Sequence, residues 1–318
     1  MTSLPIAGCC LGIDVGGTKT HGILLDPEGR RLAESLRATR TGTDGVIATI
    51  VDVIADCLGG ENAQHVPLVV GVGIPGQVDP DAGIVRTAVN LGISELDLGP
   101  RLAALTGLPV TLENDVKAAA LGAAHYLGDV GGDLAYLNFG TGVAAAAVVD
   151  GRLCRGDGNL AGEIGHFPVD PHGEVCQCGQ RGCIEVLAGG GNIAARLAAL
   201  GPGLALPHLA EAADAGDPRA VAEADRIASG IALAVQLMVL AHGSARVALG
   251  GGVVHTAPRL VARAQRLLDE WGTRSPFLAS LRLSERVTIL PAGHPVAVFG
   301  AALAGLEHTR EPQPTLIG

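Results

Sequence analysis

Aromatic side chains are scarce in this sequence. They make up 2% of its 318 residues: one tryptophan, two tyrosines and four phenylalanines. A core must therefore be built from small and aliphatic groups, and 48% of the residues are hydrophobic, with 47 glycines. Such a composition suits a tightly packed α/β protein and excludes a disordered chain. Basic charge is also in deficit, with 22 Lys and Arg against 32 Asp and Glu, a net charge of -10. There is no electrostatic footprint for nucleic acid. No apolar run is long enough for a membrane span; the nearest, 230–241 (GIALAVQLMVLA), predicts a buried helix. Met1–Ala7 lacks the basic start and apolar stretch of a secretory leader, so a cytoplasmic, reducing setting is expected. The seven cysteines are an odd number, which does not suit a complete disulfide framework.

A chain this long predicts two domains. The opening stretch reads strand (CLGIDV), glycine-rich turn (GGTKT), strand (HGILLD), with a third strand in RRLAESLRATR. Apolar spacing predicts a helix over 45–58, and 68–74 reads as a buried strand. A short helix near Leu102, a strand 109–112 and an Ala-rich helix to Leu127 follow. The layout then recurs: LAYLNFGTGVAAAAVVD at 134–150 is again strand, glycine turn, strand. Two domains on one plan are expected. Helices are predicted over 186–200, 206–214 and 218–242, then a strand 246–249, a glycine turn 250–252, a helix 257–272, a strand 286–290 and a helix 295–306.

The densest chemistry lies in GEIGHFPVDPHGEVCQCGQRGCIE, 162–185. His166, Cys176, Cys178 and Cys183 are four borderline or soft ligands within eighteen residues, as a tetrahedral zinc site requires. Disulfides or buried thiols are the bland alternatives; a reducing compartment favours metal. Four protein ligands would close the shell, which makes the ion structural and excludes a zinc hydrolase. Glu163 and Glu185 flank the ligand set.

Three glycine loops sit at strand ends. In the first, Gly16, Gly17, Thr18 and Lys19 offer donors to an anion, and Asp14 makes sense there with a divalent cation such as Mg²⁺ between. The others are Gly140-Thr141-Gly142 and Gly250-Gly251-Gly252. Each could be a plain tight turn; together they suit a nucleotide. Glu113-Asn114-Asp115 ends a strand and opens a helix. Asn114 or Asp115 can be a helix cap, or Asp115 can be a general base.

The order of DVGGTKT (14–20), GIPGQVD (73–79), ENDVKAAALG (113–122), FGTG (139–142), GEIGH (162–166), CQCGQRGCIE (176–185) and LGGGV (249–253) resembles the ROK family of sugar kinases and sugar-responsive repressors. The resemblance implies a two-domain actin-like, ribonuclease-H-like ATPase fold with an interdomain cleft. We expect domains at 1–117 and 118–300, with 301–318 returning to the first. The resemblance also implies an ATP-dependent kinase with Mg²⁺ and a structural Zn²⁺ on His166, Cys176, Cys178 and Cys183. It makes Asp115 the base. Asn114, Glu163, His166 and Glu185 become sugar contacts, as do Gly76 and Asn90 on flanking loops. Asp14, Gly16, Gly17, Thr18, Lys19, Gly140, Thr141, Gly142, Gly250, Gly251 and Gly252 become the nucleotide set. His166 would face zinc with one ring nitrogen and sugar with the other. Small-molecule partners and a homodimer or homotetramer are implied. The chain departs from the family pattern at Val143–Ala146, where further glycine is usual and the added methyls would narrow the phosphate pocket, at Lys117 and at Phe167.

Glucose, phosphorylated at O6, is the first expectation, because Asn114, Asp115, Glu163, His166 and Glu185 form an acceptor-rich set. The segment 84–92 also resembles that of actinobacterial-type glucokinases. N-acetylglucosamine, N-acetylmannosamine and fructose are the alternative acceptors. A silent sugar sensor is the non-enzyme alternative. A DNA-binding repressor is not expected, since only thirteen residues precede Asp14.

Overall fold

The computed structural model describes residues 8–201 and 205–310; the stretch Met1–Ala7 read above for a leader and the last residues of the expected 301–318 segment lie outside them. The chain forms two compact units. One takes the chain through Val130, then Arg155–Leu160, then everything from Pro295 onward; the other takes Gly131–Cys154 and Ala161–His294.

The first unit contains β1 (Cys10–Val15), β2 (Lys19–Leu25), β3 (Arg31–Ala38), α1 (Thr43–Leu58), β4 (Val70–Ile74), β5 (Gln77–Asp79), β6 (Ile84–Thr87), α2 (Leu98–Thr106), β7 (Val110–Asn114) and α3 (Asp115–Tyr126). Its main sheet has the order β3-β2-β1-β4-β7. The pairs β1–β2 and β2–β3 are antiparallel, while β1–β4 and β4–β7 are parallel. The central strands β1 and β4 are buried almost throughout, as expected when helices cover both faces of a sheet. The edge strand β3 is mostly exposed and carries Arg31, Glu34 and Arg37, charges that discourage further strand pairing.

The second unit contains β8 (Leu134–Phe139), β9 (Val143–Val149), β10 (Arg152–Leu153), α4 (Ile184–Ala188), α5 (Gly190–Leu200), α6 (Leu206–Asp214), α7 (Pro218–His242), β11 (Arg246–Gly250), α8 (Gly252–Thr256), α9 (Pro258–Arg274), α10 (Pro276–Leu281) and β12 (Val287–Ile289). Its sheet order is β10-β9-β8-β11-β12, with β8–β11 and β11–β12 parallel and the rest antiparallel. The two sheets thus share one topology strand for strand, so the recurrence seen in the sequence is one of architecture. The last helix, α11 (Val296–Arg310), belongs to the first unit and packs on α3, β1 and β4.

The helix expected at 230–241 is part of the longer α7. By length and composition α7 could cross a membrane, but 56% of its most apolar window is buried. Ile227, Ile231, Val235 and Met238 pack there in the core of the second unit with Leu137 and Phe139.

The structure divides the chain differently from 1–117, 118–300 and 301–318. Position 117 falls inside α3, and the whole helix stays with the first unit because its alanines pack against α11. Arg155–Leu160 also joins the first unit, held there by polar contacts described below. The helix expected over 186–200 is two helices, broken at Gly189, whose backbone is extended (ψ 132°). The expected glycine turn at 250–252 leads from β11 directly into α8. The short hairpin β5–β6 and helix α10 carried no sequence signal strong enough to read.

Candidate functional site

In the first unit, the parallel strands β1, β4 and β7 all end on one edge of the sheet, and the expected residues gather there. Gly16 N–H donates to the Lys19 carbonyl at 2.9 Å, closing the turn between β1 and β2. Thr39 Oγ1 donates to the Gly16 carbonyl at 2.7 Å and braces that turn from outside. Gly17, Thr18 and Lys19 are exposed. A Cβ on Gly17 would lie 3.8 Å from the Asn90 carbonyl, so Asn90 stands beside the turn.

Asn114 is the N-cap of α3. Its Oδ1 accepts from Val116 N–H at 3.0 Å and Lys117 N–H at 3.2 Å, and its Nδ2 donates to the Gly76 carbonyl at 3.2 Å. The capping alternative is therefore real, and it limits the functional one. The carbonyl oxygen is committed to the helix, so Asn114 can offer a ligand one remaining amide hydrogen, a donor rather than an acceptor. Asp115 follows as the first helical residue, half-buried at the positive end of α3, where the helix dipole favours a carboxylate. Asp14, on β1, lies close enough to feel it. Burial, with the Asp115 charge second, pushes the Asp14 carboxyl up to about 7. A carboxyl raised first by burial and second by a like charge is a group prepared for a cation or a proton.

Glu113 and Lys117 were not assigned roles by their motif, and both are 2% exposed. Arg155 Nε donates to Glu113 Oε2 at 2.8 Å, and Asn159 Nδ2 donates to Glu113 Oε1 at 3.3 Å and to the Val78 carbonyl at 3.1 Å. Lys117 Nζ donates to the Asn159 carbonyl at 2.9 Å. Asn159 has a left-handed backbone, φ 59°, which its short polar side chain tolerates. These contacts fasten Arg155–Leu160 to the strand and helix that carry Asp115. Lys117 thus departs from the family pattern for an internal reason.

In the second unit, His166, Cys176, Cys178 and Cys183 bring one ligand atom each within 4.8 Å of all the others. Cys176 Sγ lies 3.7 Å from His166 Nδ1, and Cys178 Sγ lies 3.7 Å from Cys183 Sγ. A tetrahedron with metal–sulfur bonds of ~2.3 Å has edges of about 3.8 Å, whereas a disulfide is ~2.05 Å long. The cluster fits a tetrahedral metal and not a disulfide. Nδ1 is the histidine atom in the cluster, which leaves Nε2 outside it. Gln180 Nε2 donates to the His166 carbonyl at 3.0 Å and to Cys178 Sγ at 3.5 Å. Hydrogen bonds from Gln180, its backbone first, hold the Cys178 thiol below its usual range. The loop closes at Gly182, where φ is 64° and a Cβ would overlap the Asp170 carbonyl at 1.8 Å; only glycine fits.

Glu163 is exposed ahead of the short turn Ile164–His166, and Phe167 is 50% exposed after it. Glu185 sits on α4, a helix of five residues, too short to persist unaided. Cys183, a member of the four-residue cluster, is its N-cap. At its other end Asn192 Nδ2 donates to the Glu185 carbonyl at 3.2 Å, and Arg196 donates to the Val186 and Leu187 carbonyls. Arg196 is itself held by Glu223 at 2.7 Å. Arg196 thereby satisfies two carbonyls that the helix end leaves orphaned. The Glu185 carboxylate turns to the glycine loop: Val143 N–H donates to Oε2 at 3.0 Å.

Two of the three glycine loops meet in this unit. A Cβ on Gly251 would lie 2.4 Å from the Phe139 carbonyl group, at the base of Gly140–Gly142. Beside them is a groove of about 280 Å³ lined by Gly190, Ile193, Leu197, Leu206 and Val253. Of the run Val143–Ala146, the Val143 and Ala145 side chains pack into the core of this unit.

The model of the ROK family matches residues 10–303. The chain belongs to the ROK family. A glucokinase from Thermotoga maritima is 32% identical over 262 residues, 76% of this chain and 81% of that protein. An N-acetylmannosamine kinase from Citrobacter koseri is 36% identical over 58% of this chain and 63% of its own length. The crystal structure of a ROK family glucokinase from Streptomyces griseus, in complex with glucose and AMPPNP, superposes with a TM-score of 0.74 at 28% identity, covering 94% of this chain and 100% of that one. This ROK protein therefore has the two-domain actin-like, ribonuclease-H-like fold.

Sequence reasoning missed Glu113, Arg155 and Asn159 as supports of the Asp115 helix, and Arg196 and Glu223 as supports of α4. Ion pairs between residues 42 and 27 positions apart leave no local spacing to read. Gly189-Gly190-Gly191, inside an expected helix, was a legible break signal.

Proposed function

We propose that this ROK protein is an ATP-dependent kinase that phosphorylates a hexose hydroxyl, with O6 of glucose the leading acceptor. The observation that carries the reading is the carboxylate pair Asp14, near the end of β1, and Asp115, at the start of α3 just after β7, on either side of β4, in a chain 28% identical to a glucokinase bound to glucose and AMPPNP. Asp115 accepts the proton of the sugar hydroxyl. The sugar oxygen forms a bond to the γ-phosphorus as the bond from phosphorus to the β,γ-bridging oxygen breaks, and ADP leaves with that oxygen. Phosphoryl transfer asks little more of a protein than position and charge neutralisation. Mg²⁺, when bound with ATP, would supply that neutralisation, and Asp14 would hold its water shell.

Gly16–Lys19, Gly140–Gly142 and Gly250–Gly252 offer backbone donors to phosphates, and the apolar groove at Gly190 and Val253 suits the base. Zn²⁺ fits His166, Cys176, Cys178 and Cys183 as a closed, structural site. It frees His166 Nε2 for a sugar hydroxyl. Glu163 and Glu185 act as acceptors, Asn114 as a donor, with Gly76 and Asn90 on the neighbouring loops. A homodimer or homotetramer remains part of the reading, with light scattering as its check.

The second acceptor class is an N-acetylhexosamine, favoured by the 36% identity to an N-acetylmannosamine kinase. Fructose is a further candidate. The test is ADP release with glucose, 2-deoxyglucose, mannose, fructose, N-acetylglucosamine and N-acetylmannosamine. The highest kcat/KM with glucose supports the leading reading; an N-acetylated sugar in first place replaces the acceptor and keeps the kinase.

A further inference from the structure

The sequence motifs assign Glu185 to sugar and Gly140–Gly142 to phosphate, as separate parts. In the structure they are one assembly. Glu185 Oε2 accepts from Val143 N–H, the residue that closes the loop, at 3.0 Å, and a Cβ on Gly142 would lie 2.4 Å from that same oxygen. From the other side, Gly190 N–H donates to the Gly140 carbonyl at 2.9 Å and Gly191 N–H to the Thr141 carbonyl at 2.8 Å. A Cβ on Gly190 would lie 2.6 Å from the Gly140 carbonyl oxygen. A trans peptide points the next N–H opposite to its carbonyl. With both carbonyls drawn toward α5, the Thr141 and Gly142 N–H groups point away from that helix as adjacent donors for an anion. The main chain of Glu185 is fixed in turn, since its carbonyl accepts from Gly189 N–H at 2.8 Å and Asn192 Nδ2 at 3.2 Å.

Resting on the kinase reading, we propose that Glu185 is a positioning residue for the phosphate loop as well as a sugar contact, and couples the two ligands within the second unit. One carboxylate oxygen holds Val143 and the loop. The other is left for a sugar hydroxyl. A sugar bound there fixes the carboxylate in the rotamer that holds the loop, so sugar tightens nucleotide binding. By linkage, nucleotide tightens sugar binding by the same factor.

The test measures the Kd of AMPPNP by calorimetry with and without saturating glucose, and in parallel with saturating N-acetylmannosamine. Wild type should bind AMPPNP at least fivefold tighter with its sugar, the lower end of ordinary coupling. Glu185→Asp keeps the charge but shortens the reach, so it cannot hold Val143 and a hydroxyl together; the coupling factor should fall to near one even at saturating sugar. Gly142→Ala should weaken sugar binding measured without nucleotide at least fivefold, although it lies on the phosphate loop. Glu163→Gln should raise the sugar Kd and keep the coupling factor. Melting curves for each variant separate misfolding from lost coupling, and Glu185→Asp carries the test alone if Gly142→Ala does not fold. Wild-type coupling in Glu185→Asp, or equal loss of coupling in Glu163→Gln, overturns the proposal. Binding of neither sugar nor AMPPNP by the wild type would instead overturn the kinase reading.

Discussion

The two units share a sheet topology but hold their proposed functional residues by different means. In the first, Asp14, Asn114 and Asp115 sit at strand ends and a helix start, so regular structure itself aims them. Asn114 and Asp115 rest on the cap of α3, on the buried strand β4 beside β7, and on the strap Arg155–Leu160. In the second, Glu163, His166 and Glu185 sit on a long loop and a five-residue helix. There the work falls to a four-ligand cluster, to Gln180, and to Arg196 with Glu223. A site on a sheet edge tolerates loss of a functional side chain without rearrangement. A site on loops is only as ordered as its staples.

The sharpest way to break this comparison is to remove a functional group from the first unit. Asp115→Asn should cut kcat by ~10²–10⁴, the usual worth of a general base, with melting temperature and sugar Kd nearly unchanged. A large loss of stability would mean that the first unit, too, depends on its functional residue for order.

Removing a staple from the second unit should behave oppositely. Cys176→Ser, or treatment with a strong chelator, should weaken sugar binding ~10–100-fold, the scale on which metal-site supports act. The melting temperature should fall with it, and AMPPNP binding should change less. Metal analysis should give one zinc per chain. Equal loss of both affinities would point to unfolding of the whole unit.

The third contrast is electrostatic. Asp14 is raised from 3.8 to about 7, by burial first and by Asp115 second. The fold favours its protonated form. Its contribution to stability is therefore complete below 3.8 and lost as pH rises through about 7. Between pH 5 and 8 the melting temperature of wild type should fall by a few degrees relative to Asp14→Asn, and Mg²⁺ should restore part of that loss at pH 8. Parallel curves for the two proteins would show that Asp14 is an ordinary exposed carboxylate.

The smallest effect belongs to the strap Arg155–Leu160. Lys117→Met removes the buried lysine's hydrogen bond to the Asn159 carbonyl and should cost about 1–3 kcal/mol, the scale of a lost bond to a charged group. Chemical denaturation measures it directly. Turnover should fall much less than in Asp115→Asn.

Strand–glycine–strand signatures at 10–25 and 134–149 were legible because alternation and turn residues are local, and they led to the shared topology. The cluster of His166, Cys176, Cys178 and Cys183 was legible because its spacing is chemistry in itself. The extent of α3 in its unit was not, since that depends on contacts with α11, 180 residues away in sequence. Asn114 illustrates a partial reading: its motif made it a sugar contact, its position made it a cap, and the structure shows that the cap takes its oxygen. Glu185 was readable as a carboxylate near a metal loop. Its bond to Val143 joins two motifs 42 residues apart, and no pattern in either motif contains the other.

The central claim is that this ROK protein transfers phosphate from ATP to a sugar. A coupled ADP-release assay on the zinc-loaded protein, with Mg·ATP and the hexose panel, tests it most directly. The account predicts ADP release that depends on sugar, is highest with glucose, and disappears in Asp115→Asn. Sugar binding without any sugar-dependent ADP release would contradict it and leave the protein a sensor.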